Sequence, residues 1–361
     1  MKKVALAMVF EEIEKPFRPL SVYLPALKQG EVIVEITYAT ICTSDLHSYF
    51  GRRGTPAPSV LGHEMLGRIV NLPQNEMLDF LGNPLKKGDL ITWSVYAYDH
   101  TADMATKGIP QKSKSLFKYG HEQIQKNDVL SGGFATHCHL RNGTDIFRIP
   151  EGISQKEAAP LNCTHATIAG AIRLAGSVQD KNVMIIGAGM LGISACTMAR
   201  FAGAKKVLAM DLNLQRIENI FRFGADMGIN ASHSPEEIQK KILPIGGIDV
   251  VIETSGSTEA MERGLDLLNV GGISIWVGAV YSQRNVSICA ESIVRRILTI
   301  KGLHNYKPED LSYAIKFLKA SHSTYPFDSL VGAEFQLKEL DKAFTIAKES
   351  GSYRVGITPN Y

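Results

Sequence analysis

Apolar and polar positions along this chain follow two different periods, and the change falls near residue 155. Before it, short β-branched runs bounded by Gly, Pro and Asp predict strands. They cover Val4–Phe10, Val32–Tyr38, Gly67–Val70 and, after the turn at Gly88-Asp89, Leu90–Trp93; Ser131–Thr136 restarts the pattern. After it, Ala-rich Glu157–Ala175 carries apolar residues at helical spacing. Val183–Ile186 is then a wholly apolar strand, followed by a glycine turn and a helix over Met190–Ala202. Val207–Met210 leads into a helix ending near Phe223, and Val250–Glu253 and Ser274–Val277 read as further strands. That alternation predicts a parallel sheet wrapped by helices. An amphipathic helix over Leu311–Leu318 and a strand over Ser352–Thr358 complete the pattern. The expected class is α/β, a β-rich domain joined to a doubly wound parallel-sheet domain. Residues 98–128 are polar and aperiodic, which predicts a lobe or functional loop.

At 361 residues the chain exceeds what one hydrophobic core supports, so two domains are expected. The formal charge is +3, with Lys and Arg scattered, which argues against a nucleic-acid partner. No apolar run reaches the ~18–20 residues of a membrane span. Met1-Lys2-Lys3 followed by apolar Val4–Phe10 resembles the opening of a signal peptide. It runs directly into Glu11-Glu12 without a cleavage pattern, so it reads as a strand. The five cysteines, Cys42, Cys138, Cys163, Cys196 and Cys289, are odd in number with no C-x-x-C pair. That fits a reducing cytoplasm better than a disulfide framework.

Gly187-Ala188-Gly189-Met190-Leu191-Gly192 is G-x-G-x-x-G between a predicted strand and a predicted helix. In that context the glycines permit a tight turn, approach of a pyrophosphate and close helix packing. The helix N-terminus offers free N–H groups to the phosphates. Asp211 ends the next strand, 19 residues beyond Gly192. A carboxylate there accepts from both ribose hydroxyls and repels a 2′-phosphate, which favours NAD over NADP.

Cys42-Thr43-Ser44-Asp45-Leu46-His47, Gly62-His63-Glu64 and Asn162-Cys163-Thr164 hold the candidate metal ligands. A catalytic zinc takes Cys and His and keeps one position open. Cys42, His63 and Cys163 supply that set if the fold brings them together. Taken singly, a cysteine is as readily a small buried hydrophobe, and a histidine a satisfied polar residue.

Cys42-x-x-Asp45-x-His47, Gly62-His63-Glu64, Cys163 and the glycine motif, in this order over essentially the whole chain, resemble the zinc-dependent medium-chain alcohol dehydrogenases. The resemblance implies a GroES-like catalytic domain (1–160 and 304–361) and a Rossmann NAD-binding domain (161–303), with the active site in the cleft between them. It implies one catalytic zinc on Cys42, His63 and Cys163, with Glu64 joining transiently. Asp45 would orient the zinc histidine. Ser44 and His47 match a proton relay through the cofactor ribose, and Thr167 a hydroxyl near the nicotinamide. Gly187, Gly189, Met190, Leu191, Gly192, Asp211, Arg216, Thr254, Val277 and Gly278 are assigned to NAD, and Trp93 to the substrate. The implied reaction is zinc-assisted hydride transfer between a small alcohol or carbonyl and NAD. The implied assembly is a homo-oligomer, dimer or tetramer, with the strand at Ser274–Val277 available to extend a sheet across a two-fold axis.

Many members carry four cysteines in the lobe for a second, structural zinc. Here that register falls on Asp99, Ala102, Ala105 and Ser113, which predicts one zinc per chain. The nearby His100 and His121 are expected to be solvated. His137-Cys138-His139 alternates faces on a strand and is read as structural, and Cys196 and Cys289 as core. Gly51-Arg52-Arg53, Gly108–Lys112, Leu116–Glu122, Phe134–Leu140 and Gly302–Tyr306 resemble a narrower branch, the phosphonate-catabolism-associated alcohol dehydrogenases. Arg52 and Arg53 would then hold a phosphonate; the other reading is two surface arginines. The alternatives in function are a general secondary-alcohol or polyol dehydrogenase and, in another class, a non-catalytic NAD-binding redox sensor. A zinc-free quinone reductase on the same fold would lack the Cys, His and Cys set.

Overall fold

A computed structural model describes residues 3–73, 77–125 and 128–359. The chain divides into two compact units. The first is Met1–Cys163, Lys307–Lys319 and Phe327–Tyr361; the second is Thr164–Tyr306 and Ala320–Pro326. The breaks at 163/164 and 306/307 lie three residues beyond those expected, so Cys163 closes the first unit.

The first unit is β-rich. Val4–Phe10 pairs antiparallel with Arg18–Tyr23 and with Ser59–Val60. The long strand Val32–Ile41 pairs with Glu64–Asn71, with His137–Leu140 and with Arg354–Thr358. Its β-branched residues suit this place, because partners on both edges leave little of it exposed. Val34, Ile36, Met65, Ile69, Trp93, Phe134 and Phe344 share the core of this unit.

The second unit is a six-stranded parallel sheet. Its strands lie in the order Met227–Asn230, Lys206–Asp211, Asn182–Ile186, Ile248–Glu253, Leu268–Trp276 and Thr299–Gly302. In chain order that is 3-2-1-4-5-6, the dinucleotide-binding arrangement. Strands buried on both faces read as unbroken apolar runs, which is why Val183–Ile186 was legible.

Several expectations are corrected. The helix read over Glu157–Ala175 is three pieces: Gln155–Ala158, a 3₁₀ turn over Ala159–Asn162, and Thr164–Ala175. Pro160 supplies no N–H to continue the α-helical ladder, and Cys163 sits at the second break with φ −133° and ψ −79°. The strand expected at Ser131–Thr136 begins at His137 instead. The strand containing Ser274 is paired on both sides, and the edge strands of this sheet are Met227–Asn230 and Thr299–Gly302. Cys196 is buried, as expected, but Cys289 is exposed. The lobe holds a four-residue helix at Asp103–Thr106, a 3₁₀ turn at Pro110–Lys112 and a two-residue strand at Phe117–Lys118. Among the described residues, no helix is long and apolar enough to cross a membrane.

Candidate functional site

The first site is assembled from three separate stretches of the β-rich unit. Cys42 caps the helix Thr43–Tyr49 at the end of the long strand. His63 precedes the strand Glu64–Asn71, and Cys163 stands at the helix break described above. The ligand atoms of Cys42, His63 and Cys163 all lie within 4.8 Å of one another. Two sulfurs and an imidazole at that spacing fit a tetrahedral zinc with a fourth position open.

Asp45 organises the triad. It is fully buried, and its carboxylate accepts from the Cys42 N–H at 2.9 Å, the Gly62 N–H at 3.3 Å and His63 Nδ1 at 3.0 Å. The Nδ1–H bond selects the tautomer that leaves Nε2 free for a metal. Burial opposes a charge on His63, but Asp45 and Cys42 outweigh it and its pKa stands well above the ordinary value. A hydrogen bond with Cys163 pulls the Cys42 thiol well below its usual pKa, helped by Arg354 and His63 against burial. The same bond, followed by burial, holds the Cys163 thiol well above its usual pKa. We expect Asp45→Asn to weaken zinc binding by roughly 10–100-fold, the usual cost of losing a partner that orients a ligand histidine. Competition with a chromophoric chelator measures it; unchanged affinity would remove Asp45 from this role.

Glu64 is engaged elsewhere. Its oxygens accept from Arg354 at 2.5 Å and 2.7 Å and from the Thr40 hydroxyl at 2.7 Å. Arg354 Nη2 also lies 3.5 Å from the Cys42 sulfur. Sequence reasoning missed Arg354, which is buried 290 residues from its carboxylate. The available signal was an arginine opening the strand Arg354–Thr358, ahead of Val355, Gly356 and Ile357.

Ser44 donates to the Cys42 sulfur at 3.4 Å and lies 3.2 Å from His63 Nε2. His47 is half-buried; burial first, and then the Arg52 charge, lower its pKa. Arg52 is exposed, while the Arg53 N–H donates to the His47 carbonyl at 3.0 Å. His121, expected to be solvated, instead packs its ring on that of His63 with centroids 5.1 Å apart. His100 is exposed and stacks on Tyr98. Trp93 is fully buried in the core with Tyr119 at its edge, so it offers a substrate no surface. His137-Cys138-His139 is divided as expected, with Cys138 in the core and His139 Nε2 3.0 Å from Glu31.

The second site lies in the parallel-sheet unit. Gly187 has φ +98°, a conformation that favours glycine, and donates to the Met210 carbonyl at 2.8 Å. A side chain at Gly192 would begin 1.9 Å from the Gly187 carbonyl oxygen, so the helix Met190–Phe201 packs here only without one. Gly189 caps that helix without a side-chain partner, which leaves N–H groups for a phosphate. Asp211 accepts from the Ala188 N–H at 2.6 Å and the Asn213 N–H at 2.8 Å, placing its carboxylate at the glycine turn. Thr254 donates to the Ile186 and Gly187 carbonyls, and the Val277 and Gly278 N–H groups donate to the Glu253 carbonyl. Arg216 lies beside Gly189, and Thr167 is half-buried on the helix Thr164–Ala175.

Comparison with known proteins gives this geometry its setting. Residues 28–151 match the alcohol dehydrogenase GroES-like domain, and residues 191–320 match the zinc-binding dehydrogenase family. The chain is 28% identical to the 5-exo-hydroxycamphor dehydrogenase of Pseudomonas putida, covering 88% of this chain and 89% of that protein. It is 27% identical to the sorbitol dehydrogenase of Halalkalibacterium halodurans, over 93% of each. An alcohol dehydrogenase structure from Thermotoga maritima superposes with a TM-score of 0.93 at 28% identity, covering 99% of this chain and 100% of that one. With both family domains in order, and the Cys42, His63 and Cys163 ligands converging within the first unit, this chain belongs to the zinc-containing medium-chain alcohol dehydrogenases, oxidoreductases that act on CH–OH groups.

Proposed function

We propose that this dehydrogenase works with NAD and with one zinc per chain, oxidising a small alcohol or reducing the matching carbonyl. The observation that carries the reading is the triad of Cys42, His63 and Cys163 with Asp45 behind it. When bound, zinc supplies Lewis acidity toward the substrate oxygen and NAD supplies the hydride acceptor. The chain's own residues do the rest. Asp45 fixes the His63 ring. Ser44 Oγ, 3.2 Å from His63 Nε2, takes the substrate's hydroxyl proton as it releases its own toward His47, and His47, beyond the first turn of the same helix, passes that proton to solvent. Thr167 contributes a hydroxyl on the nicotinamide side. Four lobe positions without a thiolate, Asp99, Ala102, Ala105 and Ser113, support the single-zinc reading. The test is NAD reduction by zinc-loaded protein across secondary alcohols and polyols; NAD binding without turnover of any alcohol would favour a redox sensor.

Asp211 supports NAD over NADP, since its carboxylate stands at the turn where a 2′-phosphate would come. We expect Asp211→Ala to shift the NAD-to-NADP ratio of kcat/KM toward NADP by about ten-fold or more, one like-charge contact being worth at least ~1.4 kcal/mol. Steady-state kinetics with both cofactors measures it, and an unmoved ratio removes Asp211 from this role. A second reading, a hydroxyalkylphosphonate substrate, is favoured by Arg52 and Arg53 near His47. Matched hydroxyalkylphosphonates and neutral alcohols decide it.

A further inference from the structure

We propose that Glu253 is a positioning residue for the nicotinamide half of the cofactor, its carboxyl and its carbonyl together fixing the two loops on which that half rests. The inference rests on the NAD reading and adds to it a side chain outside the glycine turn and Asp211.

Glu253 ends the strand Ile248–Glu253, at the carboxyl end of the parallel sheet. It sits in register between Ile186, just before the glycine turn, and Trp276 of the next strand. In a 3-2-1-4-5-6 sheet a dinucleotide crosses the crevice where the strand order reverses, here between Asn182–Ile186 and Ile248–Glu253. Asp211 and the glycine turn serve the adenosine ribose and the pyrophosphate on one side of that point. The nicotinamide half then falls to the loops that follow Glu253 and Trp276.

Glu253 holds both loops. Its Oε1 accepts from the Ser255 N–H at 2.7 Å, the Ser255 hydroxyl at 2.5 Å and the Gly256 N–H at 2.8 Å. Its carbonyl accepts from the Val277 N–H at 2.9 Å and the Gly278 N–H at 3.3 Å. The loops meet backbone to backbone, since a Cβ at Gly256 would begin 2.5 Å from the Gly278 carbonyl oxygen. Thr254, the next residue, donates to the Ile186 and Gly187 carbonyls and ties the same assembly to the glycine turn.

The side chain is fully buried and follows the apolar run Val250–Ile252. Burying a carboxyl there costs free energy that a further valine would not. Burial lifts its pKa, against the opposing hydrogen bonds from Ser255 and Gly256. What the carboxyl supplies is a turn already ordered before the cofactor arrives, so less conformational entropy is lost when the nicotinamide docks.

The test uses zinc-loaded protein and calorimetric titration with NADH and with ADP-ribose, which lacks the nicotinamide ring. Glu253→Ala is expected to weaken NADH about ten-fold, as loss of the three bonds to Oε1 allows, and to leave ADP-ribose within about two-fold. Glu253→Gln keeps Oε1 as an acceptor and should recover most of the lost NADH affinity. Glu253→Asp keeps a carboxyl but withdraws it by one methylene; it should weaken NADH several-fold, and it decides the matter if the alanine variant does not fold. NADH affinity unmoved in these variants, or lost in step with ADP-ribose, would overturn the proposal, because a general loosening of the sheet acts on both ligands alike. So would a glutamine variant no better than alanine. A wild-type protein that binds neither ligand counts against the NAD reading itself, whereas equal NADH binding by wild type and Glu253→Ala leaves that reading standing and removes only Glu253.

Discussion

Cys163→Ala is expected to lose bound zinc and to lower dehydrogenase turnover by roughly three orders of magnitude or more. Metal polarisation of the substrate oxygen supplies several kcal/mol of transition-state stabilisation, and each ~1.4 kcal/mol is ten-fold in rate. Only Cys42 and His63 would remain as ligands, and two donors leave a zinc half coordinated. The substitution is structurally mild. Cys163 is half-buried at a helix break, so alanine removes a sulfur without opening a core cavity. Loss of function would therefore be chemical. Metal analysis of the purified variant and steady-state rates measure it, with Cys289→Ala as the control. Cys289 is exposed on the other unit, and a substitution there should leave zinc content and rate within about two-fold. A Cys163→Ala protein that keeps full zinc and full turnover would sink the ligand assignment.

What the sequence disclosed follows from how locally each feature is encoded. The nucleotide site is one contiguous strand, turn and helix, Asn182–Phe201, so period, glycine spacing and context all speak within 20 residues. The metal site draws on residues 42, 63 and 163, and no local pattern joins them; only the family resemblance put them together. Arg354 left only a faint signal, a charge in the last strand, because its partner Glu64 lies 290 residues away. His121 was misread because the lobe has no periodicity from which to infer a face, yet its last residues turn back onto His63. The broken helix before Cys163 was misread because apolar spacing persists across Pro160, and spacing alone does not report a missing N–H. Trp93 is a substrate residue only under the family resemblance, and its strand carries it into the core.

Arg354→Met is expected to destabilise the β-rich unit by about 3–5 kcal/mol, the usual cost of leaving one member of a buried ion pair alone. Arg354 is 4% exposed and Glu64 0%, so water does not replace the lost guanidinium. Thr40 still donates to one oxygen of Glu64, but a neutral hydroxyl does not replace the charge of the guanidinium. The chain has only two tryptophans, and Trp93 lies in the core of this unit. In a Trp276→Phe background its fluorescence follows unfolding of this unit alone during urea titration, which separates it from the parallel-sheet unit. The double variant Glu64→Leu with Arg354→Met distinguishes the cause. If the penalty is the stranded charge, removing it as well should recover much of the lost stability, because apolar replacement of a whole buried pair is often neutral. If the arginine matters mainly as packing for the strand Arg354–Thr358, the double variant will be no more stable than the single one. A single variant that unfolds at the wild-type urea concentration would show that Glu64 finds another partner.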